Sequence, residues 1–437
     1  MRLIDDLLNK ITMYRLILYV LIFLLFIAGL LGSFGILPFG PASILISTVI
    51  FVFFCFTFNK LFSNILKIPT NLESTYITAL ILSLIVSPIG SVNDIPLLVM
   101  TSLFAMASKY FIVANGSHIF NPAAMSVFLA SLVLNQQASW WVGGSFMFPF
   151  VLSAGYLIVR KTQREDLVAG FLVTAFTVIA FFSAFYGQSI SLMLIETQLN
   201  TPTVFFAFIM LTEPQTMPSN KLFRITYGAV IGLLYGSGIR IGNLYMSPEL
   251  SLILGNLFSF IVSPKEKIIL RLKEKTRIAS DIYDFVFVPS HKPKFSPGQY
   301  MEWTLPHHGI DGRGNRRYFT IASSPTEDTI RMGIRFNNPS SSFKKTMLAL
   351  ENEDVLVASQ LAGDFTMPKD KNTKLVFIAG GVGITPFRSM VKYLLDLQED
   401  RDIFLIYANK TFDEVVYKDI FDQAEKGNWL KNNLRAL

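Results

Sequence analysis

The chain has 437 residues, of which 51% are hydrophobic, and its mean hydropathy of +0.46 is too high for a soluble protein of this length. Its formal net charge is +7; Lys and Arg in membrane loops account for such an excess, so we predict no nucleic-acid partner. The single cysteine, Cys55, excludes a disulfide framework and a protein-bound iron–sulfur cluster, which needs about four thiolates. One of the four histidines, His118, precedes residue 263, which argues against haems held across a membrane by histidine pairs. No metal site is predicted.

Charged residues are sparse from Tyr14 to Val262 and dense afterwards. A helix needs roughly 20 apolar residues to cross a bilayer, and the first part of the chain has about ten such runs. We therefore predict a polytopic α-helical membrane domain, a transmembrane electron-transfer domain, over 1–263. The predicted spans are 14–36, 42–58, 74–91, 95–113, 119–135, 140–159, 166–187, 203–218, 222–240 and 246–263.

Basic residues are concentrated in alternate loops between these runs. The loops predicted inside carry Lys60, Arg160 and Lys221, whereas those predicted outside carry Asp94 and Glu196. By the positive-inside rule, this distribution predicts a multi-pass protein of the cell membrane with both termini in the cytoplasm. Ten spans divide into five plus five, and two related halves with an odd number of spans would be inverted relative to each other.

Two runs in this domain combine prolines with polar residues at helix ends. The run His118–Ala124 lies at a predicted helix start, and Thr212–Pro218 lies at the end of a proline-interrupted span. Capped or broken helices with an acid at membrane depth can form cofactor or ion sites. Simple capping with a snorkelling charge is the alternative for either run. The candidate residues of a membrane flavin, quinone or ion site are His118, Asn121, Thr212, Glu213 and Arg240.

Together with Arg240, Pro248–Glu249 and Asn256, these runs resemble the family that contains the B subunit of the sodium-pumping NADH:quinone reductase and the D subunit of the Rnf complex. The resemblance covers about 71–264, and Glu213 stands where the family usually has Asp. It implies a flavin in the membrane and electron transfer across it. The Ser-Gly-Ala-Thr and Gly-Glu-Thr-Ser elements that carry covalent FMN in many relatives are absent from the sequence. Any flavin here is therefore expected to be non-covalent FMN or riboflavin.

From Lys265 onward, short strands separated by Pro, Gly and charged residues replace the long apolar runs. Six short antiparallel strands favour a small β-barrel, predicted as an FAD-binding domain over 264–368. Alternating strands and helices then indicate a partial parallel α/β domain, predicted to bind NAD(P) over 369–437. The predicted strands are 267–272, 282–288, 300–305, 318–322, 329–336, 355–360, 374–379 and 404–408, and the predicted helices are 387–397 and 413–425.

Two motifs in this part indicate nucleotide binding. In Arg316–Ser324, an arginine can bind a pyrophosphate through two nitrogens, an aromatic ring can cover an isoalloxazine, and a hydroxyl can bond its edge. The run Gly380–Pro386 follows an apolar strand and opens a helix, so its backbone can approach a phosphate. An ordinary edge strand and a generic strand–turn–helix are the alternatives for each motif alone. Their occurrence in this order, across the change from antiparallel to parallel pattern, disfavours both.

Residues 265–408 resemble the ferredoxin–NADP reductase-like superfamily. By this resemblance, Arg317 would hold the FAD pyrophosphate, Phe319 would pack on the flavin, and Thr320 would hydrogen-bond near its reactive nitrogen. The family more often has Tyr at the position of Phe319 and Ser at that of Thr320.

The same resemblance assigns further residues. Ser342 occupies the second flavin motif, in which Pro339 replaces the usual Gly, and Phe365 lies where such proteins pack an aromatic ring near the FAD. The residues that would face NAD(P)H are Gly381, Gly383, Thr385 and Pro386.

One departure from the family concerns the nucleotide domain. The Cys-Gly-Pro-Pro-like motif that follows further strands in the family is absent. A parallel sheet that stopped at Phe404–Tyr407 would leave an apolar strand edge uncovered. We therefore expect either a truncated sequence or a second chain that covers this edge.

The combined interpretation is an NAD(P)H-dependent flavin oxidoreductase. FAD would take hydride from NAD(P)H, and electrons would pass singly to a membrane flavin and on to a quinone or an outward-facing acceptor. Cofactors carry this chemistry, so no catalytic side chain is predicted. The sequence does not choose between NADH and NADPH, and partner subunits fit because no other electron carrier is predicted.

Two other functions are weighed against this one. Intramembrane Glu213 and Arg240 suggest a Na⁺- or H⁺-translocating redox subunit of a larger complex. The missing end of the nucleotide domain suggests a non-enzymatic membrane scaffold or flavin transporter with a degenerate reductase domain.

Overall fold

The computed structural model describes residues 8, 11–67, 72–241, 244–263, 265–311, 313–427 and 431–436. Asn71 and Pro264, which bound the region of resemblance to the quinone reductase subunit, lie outside the described residues. The chain divides into two compact units, Met1–Pro264 and Lys265–Leu437.

The first unit is helical and has one continuous apolar core. Its longer helices, within the described residues, are α1 (Met13–Ser33), α2 (Pro41–Leu66), α3 (Leu72–Ile85), α4 (Ile95–Phe111), α5 (Pro122–Val133), α6 (Phe148–Thr162), α7 (Glu165–Phe185), α8 (Ile190–Asn200), α9 (Lys221–Gly236) and α10 (Pro248–Val262). Between α8 and α9, the chain forms a short helical turn, Thr203–Phe205, and a π-helix, Phe206–Met210.

Three of these helices, α1, α2 and α7, are long and apolar enough to cross a membrane. At a rise of 1.5 Å per residue, the 21 residues of α1 extend about 32 Å, close to the thickness of a bilayer's hydrocarbon core. Helix α8 and Thr203–Met210 form a pair bent by 66°, which would make a fourth span. A helical N-terminal half is thus confirmed, and the figure of ten spans stays a prediction.

The predicted span over 203–218 is wrong in its second half. Helical structure ends at Met210, and the following residues form turns. Pro214 and Pro218 explain the break, because proline lacks the N–H that a continuing helix needs. The break leaves Glu213 in a turn inside the helical unit.

The two halves of this unit share an order of elements. In each half, a helix is followed by a hairpin whose two strands have two residues each, and then by a helix with proline in its first turn. The hairpins are Val113–Ala114 with Ser117–His118, between α4 and α5, and Arg240–Ile241 with Leu244–Tyr245, between α9 and α10. The shared order agrees with two related halves of five helices, whose inversion stays a prediction.

Helices α7 and α9 pack with their backbones close together. A Cβ added to Gly228 would lie 2.4 Å from the Leu167 carbonyl oxygen, and one added to Gly232 would lie 2.5 Å from that of Phe171. Small residues allow such close approach between membrane helices, where packing replaces the hydrophobic effect.

The second unit begins with a six-stranded antiparallel sheet. Buried rings from alternate strand positions, among them Phe285, Phe287 and Trp303, fill its core. The strands lie close to their predicted places, and closure of the sheet into a barrel stays a prediction. The strands are β1 (Ile268–Arg277), β2 (Ile282–Pro289), β3 (Tyr300–Thr304), β4 (Arg316–Thr320), β5 (Ile330–Arg335) and β6 (Val355–Ala362), with helix α11 (Ser342–Ala349) between β5 and β6. Their order in the sheet is β4-β3-β6-β1-β2-β5.

A parallel sheet of order β7-β8-β9 follows, and helices α12 and α13 share a buried core with it. The prediction that the edge of β8 is left uncovered by this chain is wrong, because β9 pairs with β8 in parallel from Phe404 to Asn409. The elements are β7 (Leu375–Gly380), α12 (Thr385–Leu397), β8 (Ile403–Asn409), α13 (Lys418–Lys426) and β9 (Lys431–Ala436).

Candidate functional site

The glycine-rich turn joins β7 to α12 and holds the four residues predicted to face NAD(P)H. Gly381 has φ of +51°, in the left-handed region that favours glycine. Gly383 faces open space, since a Cβ added there would meet no other atom within 4 Å. Thr385 begins α12, with Pro386 in its first turn. The turn can therefore bring a phosphate to the N–H groups that open α12.

A cavity of about 200 Å³ lies beside this turn. It lies at the carboxyl ends of two parallel strands, β7 and β8, where open α/β sheets bind ligands. An ion pair of 2.8 Å between Arg335 Nη2 and Glu414 Oε2 forms part of its wall. Burial raises the pKa of Tyr407, whose hydroxyl donates to the Gly381 carbonyl oxygen at 3.0 Å and ties the turn to β8. The lining residues are Arg335, Gly381, Ala408, Asn409, Lys410 and Glu414.

Strand β4 presents the predicted flavin motif on two opposite faces, because neighbouring side chains of a strand alternate. The ring of Phe319 lies on the core side, 5.9 Å from that of buried Phe343. The guanidinium carbon of Arg317 lies 5.2 Å from the same ring. Arg317 and Phe319 thus share the face next to α11.

Tyr318 points the other way and is 46% exposed. Its ring lies 5.7 Å from that of Tyr300, and its hydroxyl donates to Gln360 Oε1 at 3.0 Å. Thr320 has the same parity along β4 and is paired with Tyr300 in register. An exposed aromatic ring beside a hydroxyl is therefore available on this outer face.

The start of α11 is tied to the loop before β4. The Ser342 N–H donates to Asp311 Oδ2 at 2.9 Å, and Ser342 Oγ accepts from the Asp311 N–H at 3.0 Å. Asp311 also lies 3.7 Å from Arg317 Nη2 and 3.8 Å from Arg313 Nη2. Burial raises the pKa of Asp311, but its N–H partners and these guanidinium groups outweigh that, so the pKa lies below its usual range.

Positive charge gathers at this place. Lys344 lies in the first turn of α11. Burial lowers its pKa, and the charges of Arg313 and Arg317 lower it further. Arg317 Nη1 donates to three nearby carbonyl oxygens of residues 313, 314 and 316. Three cations beside a helix N-terminus, with Asp311 among them, fit a diphosphate.

The loop after β6 brings Phe365 towards the nucleotide lobe. Its ring packs edge-on to Phe387 at 5.5 Å and lines a cavity of about 330 Å³ with Val376 and Ile378. At the start of the loop, a Cβ added to Gly363 would lie 3.2 Å from the Tyr300 ring. The loop therefore runs from the aromatic pair on β3 and β4 to α12.

In the helical unit, Glu213 contacts residues of both predicted runs. Its Oε2 accepts from Asn121 Nδ2 at 2.8 Å and from Thr216 Oγ1 at 3.2 Å, and its Oε1 lies 3.7 Å from His118 Nε2. His118 and Asn121 are buried. Three predicted residues, from both motif runs, thus form one polar cluster.

Two residues absent from the predicted site extend this cluster. The Asn121 N–H donates to Asn256 Oδ1 at 2.8 Å, and Asn256 Nδ2 donates to Tyr227 Oη at 2.8 Å. Asn256 was named in the sequence only among the residues that carry the resemblance of this half, not as a site residue. Tyr227 gave no signal, because its place in the cluster depends on how α9 and α10 pack.

The other two predicted membrane residues make different contacts. Thr212 Oγ1 donates back to the Phe208 carbonyl oxygen at 2.9 Å. The Arg240 guanidinium lies in the second hairpin, 4.6 Å from the centre of the Tyr245 ring. No three His, Cys, Asp or Glu side chains among the described residues are placed to hold a metal ion.

Comparison with known proteins places the C-terminal region among oxidoreductases. The family model of the oxidoreductase NAD-binding domain matches residues 377–434. Flavohemoprotein B of Dictyostelium discoideum is 28% identical over 186 residues, 39% of this chain and 43% of its own length. The flavohemoprotein of Bacillus subtilis (strain 168) is 28% identical over 163 residues, 37% of this chain and 40% of its own. The chain spans less than half the length of these relatives.

Solved structures that match part of this chain include the Amycolatopsis cytochrome P450 reductase GcoB, with a TM-score of 0.36 and 21% identity over 39% of this chain and 52% of that one. Ferredoxin–NADP⁺ reductase from Plasmodium falciparum has a TM-score of 0.35 and 18% identity over 39% of this chain and 70% of that one.

The family model and the curated relatives confirm the prediction for the C-terminal region. It is a ferredoxin–NADP reductase-like FAD/NAD-binding domain, of the NAD(P)H-dependent flavin oxidoreductase class. The resemblance stated for the membrane half, the domain boundaries and the individual site residues stay predictions.

Proposed function

We propose that the whole chain is a membrane-bound flavin oxidoreductase that passes electrons from NAD(P)H through FAD into its membrane half, and on to a quinone or an extracytoplasmic acceptor. The observation that carries this proposal is a direct contact within the second unit. It joins the segment after β4, the strand of the flavin motif, to α12, the helix that follows the glycine-rich turn. Arg388, in the first turn of α12, donates to the carbonyl oxygen of Ala322 at 2.7 Å. Ala322 lies two residues after Thr320, the last residue of β4. When bound, FAD would supply acceptance of a hydride and release of single electrons.

The cations at the start of α11 would hold the FAD diphosphate. Arg313, Arg317 and Lys344 supply charge, and the helix start at Ser342 supplies N–H donors. This keeps the roles proposed for Arg317 and Ser342. Release of Asp311 from the Ser342 N–H would free a donor there for a phosphate oxygen.

For the flavin ring, the outer face of β4 is the better platform. Tyr318 and Thr320 lie on this face, whereas Phe319 packs towards the core against Phe343. We therefore propose that Tyr318 covers the isoalloxazine, with Thr320 as the hydroxyl at its edge. Because β4 is the last strand in the order of its sheet, one FAD could pass around this edge from the cations beside Arg317 to the outer face.

The nicotinamide dinucleotide would lie along the turn at Gly381, Gly383, Thr385 and Pro386. Open space at Gly383 admits a phosphate, and the neighbouring cavity at the end of β8 admits a further part of the dinucleotide. The walls of this cavity carry both Arg335 and Glu414, so charge alone does not select between NADH and NADPH.

In the membrane half, we propose that the ten apolar segments cross the bilayer with both termini in the cytoplasm. The cluster of His118, Asn121 and Glu213 would border a site for non-covalent FMN, riboflavin or a quinone. Its amide and carboxylate groups can bond the carbonyl and imide groups of such rings. Orientation is testable with single cysteines placed in alternate loops after replacement of Cys55 and labelled from one side of the membrane.

Na⁺ or H⁺ translocation is the second candidate function. The observation that favours it is the Glu213 carboxylate, hydrogen-bonded inside a helical unit at the end of a broken helix. Turnover that depends on Na⁺, or that builds a membrane potential in proteoliposomes, would support it. Turnover without either would leave electron transfer alone.

The deciding experiment is flavin analysis of the detergent-purified full chain. Acid-released flavins are counted per chain, and bleaching is followed after addition of NADH and NADPH. FAD with a second flavin, both bleaching, supports the electron relay, and FAD alone makes the membrane half a quinone site. Absence of FAD, or FAD that stays oxidised, refutes the proposed activity and favours a scaffold or flavin transporter.

A further inference from the structure

Helix α12 is fixed to the segment that follows the flavin strand. Arg388 binds Glu327 at two points, with Nη1 2.8 Å from Oε2 and Nη2 3.1 Å from Oε1. Its Nη1 also donates to the Ala322 carbonyl oxygen, and the next residue, Ser389, donates from Oγ to the Ser323 carbonyl oxygen at 2.6 Å. Two successive residues of α12 thus hold two successive carbonyl groups just beyond β4.

A second set of contacts joins the same two lobes. Tyr417, before α13, donates to Asp284 Oδ1 on β2 at 2.7 Å, and Arg331 on β5 pairs with the other oxygen of Asp284. The Arg388 guanidinium lies 5.3 Å from the centre of the Tyr417 ring. Gly333 lets the lobes approach, because a Cβ added there would lie 2.7 Å from Tyr417 Oη.

The charges in this interface are withdrawn from water. Arg388 is 4% exposed and Asp284 is 2% exposed. A buried ion pair contributes little net stability, because desolvation of both charges offsets their attraction. A two-point arginine–carboxylate pair nevertheless fixes the relative orientation of its partners. What these contacts supply is geometry.

Geometry matters for transfer of a hydride between two bound rings. The reacting atoms must approach to about 3–3.5 Å, and a misplacement of about 1 Å can slow a reaction about 10²-fold. The glycine-rich turn lies at the N-terminal end of α12, and β4 ends two residues before Ala322. The position of α12 against 322–327 therefore sets the distance between the nucleotide turn and the flavin strand.

We propose that Arg388 and Glu327, with Ser389, are positioning residues for hydride transfer from nicotinamide to flavin. They touch neither ring; they hold α12 and its turn in register with the outer face of β4. This inference rests on the proposed function, in which FAD lies on β4 and the dinucleotide lies on the turn.

The test compares Arg388→Gln and Glu327→Gln with the parent in the full-length detergent-purified protein. Stopped-flow bleaching of FAD over a range of NADH concentrations separates the limiting rate from half-saturation. We expect the limiting rate to fall about 10-fold or more. FAD content, and reoxidation of dithionite-reduced FAD by ferricyanide, should stay within about twofold, since neither step needs nicotinamide in register.

Arg401→Gln is the matched control. Arg401 is also buried, and it pairs with Glu399 and two carbonyl groups, of Pro368 and Asp370, away from the β4 segment. Loss of a buried arginine in general would slow Arg388→Gln and Arg401→Gln equally, whereas a positioning role slows Arg388→Gln and leaves Arg401→Gln unchanged. Arg388→Lys should be intermediate, because lysine keeps the charge and loses the two-point geometry.

Equal limiting rates in the parent and Arg388→Gln would overturn the inference, as would equal losses in Arg388→Gln and Arg401→Gln. Should Arg388→Gln fail to fold, Ser389→Ala and Glu327→Gln decide, and normal limiting rates in both overturn it. An unbleached parent protein instead refutes the proposed function, so the two failures are distinguishable.

Discussion

Asn121 and Glu213, 92 residues apart in the chain, share a hydrogen bond of 2.8 Å between the amide nitrogen and a carboxylate oxygen. The bond joins the start of α5 to the turn that follows the π-helix, and so brings two separate sequence motifs to one place. Capping explains part of the arrangement, since Asn121 Oδ1 also accepts from the Ala124 N–H at 3.0 Å. Capping does not explain why the Asn121 amide nitrogen should meet an acid from the other half of the unit.

The first prediction concerns Glu213. Glu213→Leu should lower electron transfer from NADH to a quinone about 10-fold, because it removes the carboxylate and leaves the Asn121 amide without this acceptor, at about 1–3 kcal/mol. NADH–ferricyanide activity, which draws on the C-terminal unit, should not change. Glu196→Leu, at an exposed acid of the same half, is the control. Equal quinone activity in both variants would place the acceptor site elsewhere.

The second prediction separates the two aromatic residues of β4. Tyr318→Ala should lower FAD content and restore flavin fluorescence, because an exposed ring that covers the isoalloxazine is lost, and Tyr318→Phe should keep both near the parent. Phe319→Ala removes a ring from beside Phe343 and should lower unfolding stability by about 3 kcal/mol. Its FAD content per folded chain should stay unchanged. The reverse pattern would return the flavin to Phe319.

The alternation along β4 also shows where sequence reasoning reached its limit. The motif Arg316–Ser324 was recognisable, and a short strand was predicted over 318–322. The sequence did not show which parity faced the core, because that depends on Phe343 of α11, which packs on Phe319 from outside the motif. Residues that meet only through packing, such as Arg388 with Glu327, gave no local signal.

Strand β9 was missed for a different reason. Its sequence, Lys-Asn-Asn-Leu-Arg-Ala, has neither alternation nor β-branched residues. It is a strand because β8 offers a parallel edge along Phe404–Asn409. The broken helix after α8 shows the opposite case: Pro214 and Pro218 were visible signals, and the apolar run before them was extended too far.

The third prediction concerns the nucleotide turn. Gly383→Val places a branched side chain in the open space where a phosphate would approach the start of α12. The NADH concentration at half-saturation should rise about 10-fold, which is roughly the effect of losing one good phosphate contact. The FAD content should not change. The measurement is stopped-flow bleaching at several NADH concentrations. Unchanged half-saturation would place the dinucleotide away from this turn.

The fourth prediction concerns the packing of α7 on α9. In Gly232→Val, the added side chain would meet the Phe171 carbonyl oxygen and force the helices apart. Overpacking of this kind costs about 1–3 kcal/mol, so the detergent-solubilised protein should melt at a lower temperature. Gly29→Val on α1, where a Cβ meets nothing within 4 Å, is the control. Equal melting temperatures would mean that α7 and α9 are not in close backbone contact.

The fifth prediction concerns pH and the interface between the lobes. Burial raises the pKa of Glu327, but the hydrogen bonds and charge of Arg388 outweigh it, so its pKa in the folded protein lies below the ordinary value of about 4.3. Between these two pKa values, the unfolded chain binds more protons than the folded one, so stability rises with pH. The stabilisation is complete above the unfolded pKa and is lost as pH falls through the folded pKa. Flavin release on heating should therefore occur at a lower temperature in Glu327→Gln than in the parent at pH 7, and the difference should shrink in acid.

Asp284 supplies the comparison, because its pKa moves the other way. Burial raises the pKa of Asp284 above the ordinary value, and the charge of Arg331 compensates only in part. Folded protein then binds more protons than unfolded chain over this window, and the contribution of Asp284 falls as pH rises through its folded pKa. Asp284→Asn should therefore steepen the loss of stability in acid, whereas Glu327→Gln should flatten it. The measurement is the melting temperature of both variants and the parent between pH 7 and about pH 4. If the melting temperatures of the variants change with pH in the same way as that of the parent, neither carboxylate is linked to folding.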